Sequence, residues 1–133
     1  MLARRSILLA AAATFLMIAG QTASAQGWAY LGEANVDGGS DHDKIKVGRD
    51  KGTFRRLQIS VERAAIEFDY VLVHFENGSE QRLPIRGTVR AGGKSRIMDL
   101  NGADRFIDSV EIWYRKGNWS NSNKPKMRLL GRR

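Results

Sequence analysis

The stretch Ala64–Gly78, AAIEFDYVLVHFENG, decides the fold. Ile66, Phe68, Val71, Val73 and Phe75 crowd together with Tyr70 and Leu72, and the run stops at Asn77-Gly78, a strong hairpin signal. It predicts the central strand of a β-sandwich. A two-residue turn at Asn77-Gly78 would set Leu72 opposite Leu83 and Tyr70 opposite Ile85. A three-residue loop, Glu76-Asn77-Gly78, would set Val71 opposite Leu83 and Val73 opposite Gln81, with Gly78 at the left-handed position of a bulge. The second register is favoured because it lines up Val71, Val73 and Phe75 with Leu83 and Ile85 on one inner face.

Working outward, Phe54–Val61 (FRRLQISV) places Leu57, Ile59 and Val61 on one face and Arg56, Gln58 and Ser60 on the other, the mark of a half-exposed antiparallel strand. Trp28 and Tyr30 alternate in an opening strand, Lys44–Gly48 in a short one, and Arg49–Gly52 has the composition of a turn. After Ile85, Arg86-Gly87 and Ala91–Lys94 read as loop or bulge positions around a short Thr88-Val89 segment. Ser95–Leu100 reads as a strand, and Asn101–Arg105 as a turn or one helical turn capped by Asn101. Phe106–Tyr114 reads as the second long strand, with Val110, Ile112 and Tyr114 on one side and Ser109, Glu111 and Trp113 on the other. Lys116–Lys126 reads as a long exposed loop, and Met127–Gly131 as a closing edge strand. About eight short strands with regular turn signals define the fold class: all-β, an antiparallel sandwich of jelly-roll or immunoglobulin-like type.

The first residues, MLARRSILLAAAATFLMIAGQTASAQ, join two arginines, an apolar run from Ile7 to Ala19 and the small-x-small site Ala23-Ser24-Ala25. They predict a signal peptide over residues 1–25, cleavage after Ala25 and a single domain over 26–133. Arg4-Arg5 also fits a minimal twin-arginine pattern, although two basic residues are equally the n-region of a general secretory signal. Removal of the leader leaves 108 residues and lowers the formal charge from +8 to +6. That length supports one core, and no later segment is apolar enough to span a bilayer. The protein has no cysteine, so packing alone must stabilise it. The expected location is the periplasm, or the medium if the protein is secreted.

The early Leu31-Gly32, Leu57-x-Ile59-x-Val61, the run to Phe75, the Gly92-Gly93 loop and a late strand before Leu130-Gly131 resemble the small exported bacterial proteins grouped as domain of unknown function 2541. The resemblance spans most of the chain after the leader. It implies a periplasmic β-domain, and its motifs are packing and turn positions that carry no chemistry.

Several groups of side chains have both a functional and a plainer reading. Asp37, Asp41 and Asp43 gather hard oxygen ligands in one loop, the chemistry calcium needs, but without EF-hand spacing; a solvated turn is the plainer reading, with no cofactor. His74 lies on the outer face of its strand with no adjacent Ser or Cys motif, which points to a structural histidine. Glu67 with Asp69, and Asp99, Asp104 and Asp108 near Arg105, supply carboxylates; arginine pairing that ties a turn to the sheet is the plainer account. After Tyr114 the chain holds Arg115, Lys116, Lys124, Lys126, Arg128, Arg132 and Arg133 and no acid. With Trp113, Tyr114 and Trp119, these cations combine charge for anions with rings for stacking.

The sequence therefore predicts a non-enzymatic interaction or ligand-binding module for an anionic envelope component. The surface it points to is Trp119 with Arg115, Lys116, Lys124 and Lys126. Partners in view are an anionic envelope polymer, lipid head groups or another envelope protein, with nucleic acid disfavoured by the location. The alternatives are a hydrolase of envelope polymers acting through unidentified carboxylates, and a structural accessory of another envelope protein.

Overall fold

A computed structural model describes residues 27–38, 41–117, 119–120 and 122–133. The expected leader, its cleavage site and the twin-arginine pattern lie outside the described residues. Among the described residues nine strands follow in order: β1 Ala29–Asn35, β2 His42–Lys46, β3 Thr53–Phe54, β4 Arg56–Glu62, β5 Ile66–Phe75, β6 Glu80–Val89, β7 Met98–Asp99, β8 Arg105–Tyr114 and β9 Lys126–Arg132. A 3-10 turn at Arg49–Lys51 is the one helical element among the described residues. No helix among them is long and apolar enough to cross a membrane.

Two antiparallel sheets form the sandwich, one in the order β1-β9-β4-β7 and the other β2-β8-β5-β6, with β3 also pairing β8. Their inward side chains make one core. Leu57, Ile59, Val61, Met127 and Leu129 from the first sheet meet Phe68, Val71, Val73, Val110 and Ile112 from the second. Alternation produces this, because successive side chains on a strand point to opposite faces and only one face of each sheet is apolar.

The β5–β6 hairpin has the favoured register: Val71 lies opposite Leu83 and Val73 opposite Gln81. The Gly78 N–H donates to the Phe75 carbonyl at 3.0 Å and the Phe75 N–H to the Ser79 carbonyl at 2.9 Å, closing a three-residue loop. Gly78 sits at φ 91°, where a side chain would be strained. Further along, a register shift between Phe68 and Tyr70 lets one continuous strand bury Ile66 and Phe68 and then Val71, Val73 and Phe75. The Thr88-Val89 segment is the end of β6, which runs through a bulge at Arg86-Gly87.

Three expectations are corrected. The C-terminal strand β9 is not at an edge: it lies between β1 and β4, burying Met127, Leu129 and Gly131. Only Met98–Asp99 of the Ser95–Leu100 run pairs as a strand, because the buried Ser95 replaces part of the ladder, its hydroxyl oxygen accepting the Ile59 N–H at 2.9 Å. Residues 101–104 are bends without helix.

At one side of the sandwich the edge strands β1 and β2 meet. At the other, β6 and β7 are joined by a strap over residues 90–97. This strap lies along the end of β4: Gly92 N–H donates to the Val61 carbonyl at 2.7 Å, and Val61 N–H to the Gly93 carbonyl at 3.0 Å.

Candidate ligand-binding surface

The outer face of the second sheet carries a row of rings. Tyr70 on β5 and Trp113 on β8 stack with centroids 4.8 Å apart and planes 12° apart; Trp113 and His42 on β2 stack at 4.7 Å and 10°. Register explains the row, since Tyr70 lies opposite Trp113 and Trp113 opposite His42. At the β6 end the Arg82 guanidinium sits 3.7 Å from the Tyr70 ring centre. Cross-strand neighbours at this spacing face one another, so the rings stand like books on a shelf and turn their edges outward. Neither the Trp113 indole N–H nor the Tyr70 hydroxyl has a partner among the described residues, and both side chains are half-buried.

Beside this row is a depression lined by Asp69, Tyr70, Arg82, Pro84 and Arg86. A second concavity, near the β5–β6 turn, is lined by Arg49, Phe75, Glu76, Asn77, Asp104, Arg105 and Phe106. Here Arg105 covers the Phe75 ring at 3.7 Å and Arg49 covers Phe106 at 4.3 Å. It joins two acids, Glu76 and Asp104, and Asp104 is held by Arg55 at 2.9 Å.

Below the ring row, His74 bridges two carboxylates, its Nε2 2.7 Å from Glu111 and its Nδ1 3.1 Å from Glu80, as befits a structural histidine. Asp99 pairs with Arg56 at 3.0 Å, and Asp108 with Lys46, whose ammonium holds the Asp108 carboxyl below the usual range. The expected Arg105 cluster is therefore replaced. Arg105 instead donates to the Asn101 carbonyl at 2.7 Å and the Ser79 hydroxyl at 3.1 Å, tying two turns together.

The Asp37, Asp41 and Asp43 loop has other attachments. The Tyr114 hydroxyl donates to Asp43 Oδ2 at 2.6 Å, and His42 Nδ1 lies 3.3 Å from Asp41, a bond that lowers the Asp41 pKa. Among the described residues no group of three or more His, Asp or Glu side chains could hold a metal ion. Desolvation first, and then the Asp43 bond, push the Tyr114 hydroxyl well above the ordinary tyrosine range.

Among the described residues, three of the seven C-terminal cations are matched by acids from other strands. Arg115 lies 3.4 Å from Glu67, and Lys126 3.2 Å from Glu33; Arg128 pairs with both Glu33 and Glu62. Lys116 and Lys124 have no ion pair among the described residues. Trp119 is not an open stacking platform. Its indole N–H donates to the Ala65 carbonyl at 3.3 Å, its ring packs against the core, and a Cβ at Gly117 would lie 2.7 Å from it. Tyr114 is 2% exposed, because it alternates inward with Val110 and Ile112.

A further group of unmatched cations is Arg63, Arg86, Arg90 and Lys94, which are exposed and have no ion pair among the described residues. The sequence reading passed over them. The available signal was the run from Gln81 to Met98, which holds cations and no acid.

The fold and surface define an all-β sandwich domain with a ringed outer face and one cationic edge. The chain belongs to the family described as a domain of unknown function (DUF2541), whose profile matches residues 9–131. It is similar to PYK10-binding protein 2 of Arabidopsis thaliana, with 29% identity over 103 residues covering 71% of this chain and 30% of that protein. Its fold is similar to that of Pseudomonas aeruginosa AlgX, with a TM-score of 0.55 and 12% identity, covering 80% of this chain and 26% of the AlgX chain. The chain thus spans less than a third of either protein's length.

Proposed function

We propose that this chain is an exported, non-catalytic binding domain that holds an anionic component of the cell envelope. The observation supporting this reading is the depression beside the ring row, where the Arg82 and Arg86 side chains meet Tyr70. A ligand there has charged donors for its anionic groups and two unengaged neutral donors, the Tyr70 hydroxyl and the Trp113 indole N–H. Stacking fixes the rings beforehand, so little side-chain freedom is lost on binding. The carboxylates and histidines engaged in ion pairs fit a holding role better than acid–base chemistry. A relative whose name describes a binding protein agrees with that role.

Titrating the protein with a short galacturonic acid oligomer and following the indole N–H resonances tests the site. The Trp113 signal should move while those of Trp28 and Trp119 stay in place. A response confined to Trp119, or none, would move the site elsewhere or remove it. Export is checked by sequencing the N-terminus of the protein recovered from the periplasm: Gln26 is expected, and an uncleaved protein retained in the cytoplasm would contradict it.

A further inference from the structure

Between Glu80 and Asp99 the chain carries Arg82, Arg86, Arg90, Lys94 and Arg96 and no acid. The fold turns this run into a single edge. Arg82 and Arg86 stand on β6, the outermost strand of its sheet, and Arg90 and Lys94 on the strap that crosses to β7. Arg63, in the turn after β4, flanks the same strap, which is bonded to Val61. Arg96 is engaged, its Nε donating to the Pro84 carbonyl at 3.0 Å. Arg63, Arg86, Arg90 and Lys94 have neither an ion pair nor a side-chain hydrogen bond among the described residues.

The backbone supplies an independent sign. Two non-glycine residues among those described have positive φ, Arg63 at 76° and Arg86 at 48°. Glycine or asparagine would adopt these conformations with less strain. Both strained positions are arginines, and both belong to the unmatched edge. Strain retained at residues whose side chains make no ion pair or hydrogen bond among the described residues points to a use outside the fold.

The shape of the edge selects the partner. Arg82, Arg86 and Arg90 follow one another along β6 and into the strap, over at most about 26 Å at the rise of an extended chain, a spacing that suits a line of anions. The adjoining depression also contains the Asp69 carboxylate, which accepts hydroxyl donors. A partner carrying both regular carboxylates and hydroxyls satisfies the whole surface. Arginine suits carboxylates through paired N–H donors in one plane.

We propose that the β6 edge, through Arg63, Arg86, Arg90 and Lys94, binds a linear acidic polysaccharide, which continues into the depression at Tyr70 and Arg82. This rests on the binding role proposed above and adds the ligand class and its path.

The test measures affinity of the purified protein for long-chain polygalacturonate, neutral dextran, polyphosphate and phosphatidylglycerol vesicles. Polygalacturonate should bind most tightly, with affinity falling on the order of tenfold or more as salt rises from about 50 to about 200 mM. Arg90→Gln with Lys94→Gln should lose on the order of tenfold in affinity at unchanged melting temperature, as expected for two exposed charges. Arg63→Asn with Arg86→Asn should lose affinity similarly while melting a few degrees higher, because backbone strain is relieved. Unaltered affinity in both pairs would overturn the edge, and equal or tighter binding of polyphosphate or vesicles would overturn the polysaccharide. If the short oligomer still moves the Trp113 signal while both edge pairs bind the long chain normally, the edge inference alone fails. If neither short nor long ligand binds, the broader binding role fails with it.

Discussion

The Tyr114 hydroxyl donates to Asp43 Oδ2 at 2.6 Å, joining the inward face of β8 to the edge strand β2. Tyr114→Phe should cost about 2 kcal/mol of stability, the scale of a hydrogen bond to a charged acceptor, measured by urea unfolding. The pH dependence has a definite sign. Burial and Asp43 raise the folded-state pKa above the unfolded one, so in the unfolded chain the phenol ionises near pH ~10 while the folded one stays protonated. This stabilisation is complete below that pH and is lost as pH rises above it, and the alkaline limb of the stability curve should be shallower in Tyr114→Phe.

Gly131 faces inward on β9, where an added Cβ would lie 2.7 Å from Leu31 and 2.8 Å from Phe54. Both neighbours are themselves buried, so neither can swing into solvent. Gly131→Ala should destabilise by about 2 kcal/mol through overpacking. A calorimetric melt close to that of the parent would show that the contact between β9 and Leu31 is looser than described.

Two tryptophans should separate cleanly. Trp119→Ala removes a ring packed on the core and its bond to Ala65, and should cost about 2 kcal/mol while leaving acidic-oligomer affinity unchanged. Trp113→Ala removes an exposed-face stack worth about 1 kcal/mol and should abolish measurable oligomer binding. Thermal melts and titrations on the same two proteins check both halves.

On the acid side, Glu33, Asp41 and Asp108 all have lowered pKa values, caused chiefly by Tyr30, His42 and Lys46 respectively. A lowered folded pKa contributes stability above the unfolded value and loses it as pH falls, so stability should decline below about pH 4. Glu33→Gln should make that decline shallower in unfolding curves measured between about pH 2 and pH 6.

The hairpin register was legible because two local signals agree: alternation through Val71, Val73 and Phe75, and a glycine at the only position where the loop needs positive φ. The interior placement of β9 was not, since Met127–Gly131 reads the same at an edge or between β1 and β4. Charge density at the C-terminus was legible but the pairing of Arg115, Lys126 and Arg128 was not, because Glu33, Glu62 and Glu67 come from three different strands. Likewise, nothing local distinguishes Trp119, folded inward against Gly117, from Trp113, left at the surface by its place opposite Tyr70.

The most direct test compares polygalacturonate affinity in two charge-removal proteins. One carries Arg86→Gln, Arg90→Gln and Lys94→Gln on the cationic edge. The other carries Arg115→Gln, Lys116→Gln, Lys124→Gln and Lys126→Gln at the C-terminal end. The edge protein should lose on the order of tenfold or more, and the C-terminal protein, despite losing one more charge, should stay within about threefold of the parent. The opposite ordering would contradict the account.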